Sequence, residues 1–118
     1  MKILVVDNTP DGTFLNVVNK YFSAAEIVHQ TNRDISFKSI PHDFYDVIVS
    51  SEGIGRLKND DIIDFIKESR TVRRSVIICI DHNPRVRANL MSSLKPYRGF
   101  VLDVDELNTL ENILSGLI

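Results

Sequence analysis

Short apolar runs alternate with longer amphipathic segments along the chain, and this alternation restricts the fold more than any other feature. Four of the runs are rich in β-branched residues and lack a regular exchange of polar and apolar positions, which is typical of parallel strands covered on both faces. They span Ile3 to Val6, Val47 to Val49, Val76 to Ile80 and Phe100 to Leu102, and the less apolar stretch Glu26 to His29 is a fifth candidate. The sequence therefore predicts a buried parallel sheet.

The segments between the strands carry apolar residues at offsets of three and four, the spacing of an amphipathic helix. A first helix is predicted from Phe14 to Phe22, and the stretch from Ile35 to Ile40 has room for a short second one. Asp60 and Asp61 favour the start of a third helix, because acids are stabilised at a helix N-terminus. These segments are predicted to be crossover helices.

Two further helices are predicted from their N-terminal signals. Asn83 followed by Pro84 is typical of an N-cap and a first helical residue, and Asp105 is expected to cap the last helix. Their apolar positions are Val86, Leu90, Met91 and Leu94 in the fourth helix and Leu107, Leu110, Ile113, Leu114 and Leu117 in the fifth. Strands and helices in alternation predict an α/β fold of the (βα)5 type, a doubly wound parallel five-stranded sheet with right-handed crossovers and helices on both faces.

Composition limits the classes of function. The 118 residues suffice for one domain, spanning 1–118, with its own core. Acids and bases are interspersed and the formal net charge is −2, so no basic face for direct nucleic-acid binding is expected. No apolar run approaches the roughly 18 residues of a membrane span, and the single Cys79 excludes an internal disulfide. We expect a soluble cytoplasmic domain without a cofactor.

Three segments together resemble the receiver domains of bacterial response regulators. Lys2 to Pro10 is similar to the first receiver strand with its acidic pair, and Tyr45 to Ser51 is similar to the strand that ends in the phosphorylated aspartate. Arg98 to Asp103, followed by a leucine-rich helix, resembles the end of receivers joined to LuxR-type DNA-binding domains. The resemblance implies a flavodoxin-like or CheY-like sheet of strand order 2-1-3-4-5, with functional groups at the carboxyl ends of the strands.

The positions that carry receiver chemistry depart from the family pattern. Ser51 stands at the phosphoacceptor position, and a serine hydroxyl cannot form an acyl phosphate. The acidic pair is Asp7 and Asn8, so half of its charge is missing. Ile80 occupies the position of the switch hydroxyl, and Asp103 that of the lysine, unless a one-residue gap removes the lysine altogether. The sequence therefore predicts a pseudo-receiver that is not phosphorylated and has no catalytic activity.

A regulatory role through protein contacts follows from this interpretation. Phe100 matches the aromatic switch position of receivers, and the resemblance implies an interface formed by the fourth helix, the fifth strand and the fifth helix. The fifth helix is apolar over more than one stripe, so an outward-facing residue among Leu110, Leu114 and Leu117 is expected to contact a partner or a second copy. The module is expected to control a DNA-binding output.

Two alternative functions and one metal site remain open at this point. A conventional phosphorylated receiver would follow if the alignment were different. Cys79 with Asp81 faintly resembles the nucleophile elbow of class I glutamine amidotransferases, although the elbow requires glycine where Asp81 stands. No metal is expected, but Asp7 and Asp81, with Glu52 and Asp103 at the same edge of the sheet, are the candidates for holding a hard cation.

Overall fold

The structure, a computed structural model, describes residues 1–7, 9, 11–30, 44–51, 59–68 and 74–117, and only the backbone of 59–63. The elements are β1 (Lys2–Val6), α1 (Thr13–Tyr21), β2 (Glu26–Gln30), β3 (Val47–Ser51), α2 (Asn59–Glu68), β4 (Val76–Ile80), α3 (Pro84–Ser93), β5 (Arg98–Leu102) and α4 (Leu107–Gly116). The second predicted helix lies outside the described residues, so α2, α3 and α4 correspond to the third, fourth and fifth predicted helices. None of the described helices is long and apolar enough to cross a membrane.

All five strands form one parallel sheet in the order β2-β1-β3-β4-β5. This confirms the predicted fold class and strand order. The first strand lies between the second and the third, so the strand order reverses beside β1. In such sheets the carboxyl ends of the strands on either side of that reversal form the usual place for a site.

Neighbouring residues of each central strand point to opposite faces of the sheet, and both faces are covered. One face packs against α1 and α4, and the other packs against α2 and α3. The fully buried strand residues are Ile3, Val5, Val49 and Ile78 on the first face and Leu4, Ile48, Ile77 and Cys79 on the second. Burial on both sides explains why these strands show no alternation of polar and apolar residues.

The two predicted N-caps have different outcomes. The Asn83 side chain accepts hydrogen bonds from the backbone N–H groups of Arg85 (2.9 Å) and Val86 (3.4 Å), which confirms it as the cap of α3. The prediction for Asp105 is wrong, because α4 begins two residues later and its cap residue, Glu106, makes no side-chain cap bond. Glu106 Oε1 instead accepts from the Asp103 N–H at 2.9 Å, so this acid closes the preceding turn.

Two helical faces also differ from their predicted orientation. Met91 is 62% exposed, since the inner face of α3 is already filled by its neighbour Leu90 and by Leu94. Leu110 and Leu114 are fully buried, so the expectation that either faces outward toward a partner is wrong. The reason is that α4 packs against both the sheet and α1, which requires a wide apolar face. Leu117 alone of the three expected interface leucines is partly exposed.

Candidate functional site

Polar side chains from four strands gather at the carboxyl edge of the sheet. Asp7, Asp81 and Asp103 directly follow β1, β4 and β5, as predicted. Ser51 was expected just after its strand but is the last residue of β3. Asp7 and Ser51 are 1% exposed and Asp81 is 6% exposed, so three of these four polar groups are enclosed by protein. Asn8 and Glu52 lie outside the described residues.

The Asp7 carboxylate is the most heavily bonded group at this edge. Its Oδ1 accepts hydrogen bonds from the Thr9 backbone N–H (2.8 Å) and hydroxyl (2.6 Å), and the Ser51 hydroxyl lies 3.4 Å away. Its Oδ2 accepts from the backbone N–H groups of Phe14 and Leu15, both at 2.9 Å. Five donors from three parts of the chain therefore converge on one buried carboxylate.

This arrangement makes Asp7 the cap of α1, although it lies six residues before the helix. The residue in the N-cap position is Gly12, which has no side chain to offer and adopts a left-handed conformation with φ 66°. That conformation suits glycine and strains other residues. Asp7 supplies the missing acceptor, and its charge interacts favourably with the positive end of the helix dipole. Thr9 extends the network, because its hydroxyl accepts from the Thr13 N–H at 3.0 Å.

The receiver resemblance implies a divalent cation at this edge, but the side chains present do not fit one. Hard cations need several oxygen ligands with free lone pairs. Both oxygens of Asp7 are already occupied by N–H and O–H donors, and Ser51 contributes a hydroxyl where a carboxylate would be needed. Within the described part of the chain, no three His, Cys, Asp or Glu side chains are grouped so as to hold a metal ion.

Asp81 and Asp103 are joined by Arg87, a residue that the sequence did not single out. Arg87 Nη1 donates to the backbone carbonyl of Asp81 at 2.9 Å and lies 3.3 Å from Asp103 Oδ2. The Asp81 side chain accepts from the Asn83 N–H at 2.9 Å and lies 3.8 Å from His82 Nδ1. The sequence contained one signal for this contact. Arg87 is a basic residue one turn after the N-cap of α3, and α3 begins beside the end of β4.

The two remaining positions of receiver chemistry contain no phosphate-binding group. Ile80 is 1% exposed and packs in the cluster beneath α1 and α4, so it offers only an apolar surface. Asp103, the residue predicted at the lysine position, carries a negative charge, and the guanidinium of Arg87 lies 3.3 Å from its Oδ2.

Cys79 is unsuited to nucleophilic catalysis. Its side chain is fully buried in the sheet, and burial together with the negative charge of Asp81 raises the pKa of the thiol to about 12. The thiolate is the reactive form, so this thiol is inert near neutral pH. The amidotransferase interpretation therefore receives no support from the geometry.

The outer face of β5 is the second notable region. Phe100 is 43% exposed and pairs with Ile78, whose side chain belongs to the α1/α4 side of the sheet. An open groove of about 470 Å³ lies between β5 and α4, and Phe100, Ile113 and Leu117 contribute to its walls. The predicted aromatic position thus lines a surface groove at the edge of the sheet.

Comparison with known proteins gives a structural likeness without a sequence match. No family profile matches the sequence, and no curated protein does. The phosphorylated cyanobacterial phytochrome response regulator RcpA aligns over 98% of this chain and 89% of its own, with 12% identity and a TM-score of 0.64.

Two further structures give the same result. The receiver domain of the Francisella response regulator 1452 aligns over 98% of this chain and 97% of its own, with 18% identity and a TM-score of 0.62. A two-component response regulator from Cytophaga hutchinsonii aligns over 98% and 96%, with 14% identity and a TM-score of 0.62. At such identities the likeness establishes the CheY-like receiver fold and leaves the chemistry to the residues themselves.

Proposed function

We propose that this chain, which has the fold of response-regulator receivers, is a receiver-like regulatory domain that accepts no phosphoryl group and acts by binding protein partners. The observation that carries the proposal is the pairing of Asp7 with Ser51 at the carboxyl edge of the sheet. The Asp7 carboxylate caps α1, and the residue predicted at the phosphoacceptor position, Ser51, has a buried hydroxyl.

Phosphorylation of a receiver requires several groups that act together. A carboxylate must attack the phosphorus, and a cation and fixed donors must stabilise the charge on the transferred group. Here the Ser51 hydroxyl lies 3.3 Å from the Val6 carbonyl and 3.4 Å from Asp7, inside the protein. In the described part of this edge, no three His, Cys, Asp or Glu side chains are grouped so as to hold a metal ion. Loss of several cooperating groups predicts no measurable transfer.

The test is to expose the protein to acetyl phosphate with Mg²⁺, and separately to beryllofluoride with Mg²⁺. We expect no change in intact mass and no shift of backbone amide resonances, while a conventional receiver treated in parallel gains one phosphoryl group. Ser51→Asp is expected to remain unphosphorylated, because restoring the nucleophile leaves the metal site and the phosphate-binding cation missing. A hydroxylamine-labile adduct on the wild-type chain would instead favour the conventional receiver.

The binding surface in this proposal is the α3/β5/α4 face, which the receiver resemblance implies. Two of the leucines expected there are in the core, so the apolar residues left on this side include Met91, Phe100 and Leu117. Control of a DNA-binding output through this face remains part of the proposal. Sedimentation over a range of concentrations tests the expected homodimer, and Leu117→Glu should weaken any self-association that uses this face.

A further inference from the structure

The strand β2 lies at the end of the sheet opposite β5 and pairs only with β1. Its sequence, EIVHQ, contains no lysine and no proline, the two residues that most often discourage an edge strand from pairing with another chain. Its one acid or base apart from histidine is Glu26, at the first position. Nothing in the strand itself therefore opposes the addition of a further strand.

The backbone of β2 directs two residues toward the open edge. The Glu26 N–H and the Gln30 carbonyl make the first and the last hydrogen bond to β1 and its flanking residues, at 3.0 and 3.3 Å. Successive residues of a strand direct their backbone groups to opposite edges, so the N–H and C=O groups of Ile27 and His29 point away from β1. Among the described residues, no backbone group bonds to these outward groups. Two donors and two acceptors are thus available along this edge.

These groups are self-complementary when two copies of β2 run antiparallel about a two-fold axis at Val28. Ile27 then lies opposite His29 of the second copy, and each such pair exchanges both of its N–H···O bonds, which gives four hydrogen bonds in all. Symmetric pairing centred on either neighbouring residue leaves one end of each strand without a partner. The register centred on Val28 is therefore the one that uses the whole strand.

The side chains agree with the same register. Val28, which is partly buried against the α2/α3 side of the sheet, lies opposite its own copy. Ile27, partly buried on the α1/α4 side, lies beside the exposed His29 of the second copy. Glu26 lies opposite Gln30, whose carboxamide can donate to the carboxylate, so like charges do not face each other. Both faces of the sheet continue across the contact.

We propose that β2 pairs with β2 of a second copy of the chain and extends the sheet across two molecules. The inference goes beyond the proposed function, and it leaves the α3/β5/α4 face accessible because β2 and β5 lie at opposite ends of the sheet. Five residues on each side are far fewer than the roughly 20–30 of a standard interface. The association is therefore weak and depends on protein concentration.

Amide hydrogen exchange and amide chemical shifts, measured from micromolar to millimolar protein, test which edge pairs. The outward N–H groups of Ile27 and His29 should shift with concentration and exchange several-fold more slowly at the high end. The N–H groups of Glu26 and Val28, which point to β1, should change little. The Phe100 amide on the opposite edge strand is the reference and should also stay constant.

Two pairs of variants separate the backbone contact from the side chains, with sedimentation equilibrium as the measurement. His29→Pro removes one outward donor without touching a bond to β1, a place where an edge strand tolerates proline, and should weaken association. His29→Ala keeps the N–H and is its control. Gln30→Glu places a like charge opposite Glu26 and Gln30→Lys an opposite charge. Since each change occurs twice in the pair, they should lower and raise the association constant by about threefold to tenfold.

The proposal is overturned if the β2 amides do not respond to concentration, if His29→Ala weakens association as much as His29→Pro, or if both Gln30 variants act in the same direction. Should His29→Pro fail to fold by circular dichroism, the Gln30 pair decides. Concentration-dependent shifts confined to Phe100 and Leu117, and abolished by Leu117→Glu, would overturn it in favour of the α3/β5/α4 face. The phosphodonor assays do not involve β2, so failure here is distinguishable from failure of the proposed function.

Discussion

Replacing the Asp7 carboxylate separates a capping role from a metal-binding role, because the two roles predict opposite changes in stability. Asp7→Ala removes the acceptor for the Phe14 and Leu15 N–H groups and for both donors of Thr9. Loss of a helix cap costs about 0.5–2 kcal/mol, and leaving further buried donors unsatisfied adds about 1–3 kcal/mol. We expect the free energy of unfolding to fall by about 3 kcal/mol.

The measurement is urea unfolding followed by circular dichroism, together with the melting temperature. For a chain of this length, about 3 kcal/mol corresponds to a fall in melting temperature of roughly 10–15 °C. Asp7→Asn keeps one carbonyl oxygen but turns an NH₂ group toward N–H donors, so it should lose about half as much. Asp105→Ala is the control, since Asp105 is an exposed acid near a helix start whose replacement should change stability by less than about 0.5 kcal/mol.

A metal site would behave differently. The carboxylate ligands of an empty metal site repel one another. Removing one of them therefore leaves the metal-free protein equally stable or more stable. Added Mg²⁺ would then raise the melting temperature of the wild-type chain and not that of the variant. If Asp7→Ala is neutral or stabilising, or if millimolar Mg²⁺ stabilises only the wild-type chain, the capping role of Asp7 is refuted.

The other predictions concern the opposite end of the site and the core. A double-mutant cycle of Arg87→Met and Asp103→Asn should give a coupling energy of about 0.5–1.5 kcal/mol in urea unfolding, and zero coupling would mean that the pair contributes nothing. Gly99→Ala should lower the free energy of unfolding by about 1–3 kcal/mol, because the new Cβ would lie 2.7 Å from the Cβ of Leu94. Gly116→Ala meets no atom within 4 Å and should be neutral or stabilising in the same assay. Cys79, whose pKa is raised to about 12, should resist a thiol reagent at pH 8 until the protein is unfolded by urea, and rapid labelling of the native chain would contradict its burial.

The sequence predicted the framework well because the framework depends on patterns that are local. Each predicted strand coincides with an observed one. Strands buried on both faces are recognisable in the sequence as continuous β-branched runs. The Asn83 cap was predictable since cap and helix are adjacent in the chain. Asp105 carried a similar local signal, but Glu106 folds back onto the Asp103 N–H and the helix begins later.

The site was less predictable because its bonds do not follow the regular spacing of helices or strands. The Asp7 carboxylate accepts from donors two to eight residues further along the chain and from Ser51, 44 residues away. Asp7 was expected at the correct edge, yet its role as a cap depends on where the first turn of α1 comes to lie. Arg87 reaches two strand ends from a helix, and its place one turn after the N-cap of α3 was the sole local signal for a contact whose second partner, Asp103, lies on another strand end. Leu110 and Leu114 are buried because α1 packs beside α4. The spacing of apolar residues in one helix does not predict which other helix packs against it.

The position of β5 at the end of the sheet also bears on how the chain avoids aggregation. A terminal strand presents backbone N–H and C=O groups to which another chain can add, and the hazard grows with the length and apolar character of the strand. This strand has only five residues, and its apolar part is Phe100 to Leu102. Arg98 precedes that part and Asp103 follows it, so charges bracket the segment that would otherwise template edge-to-edge pairing. These two charges therefore protect this edge of the sheet against pairing with another chain while the protein folds.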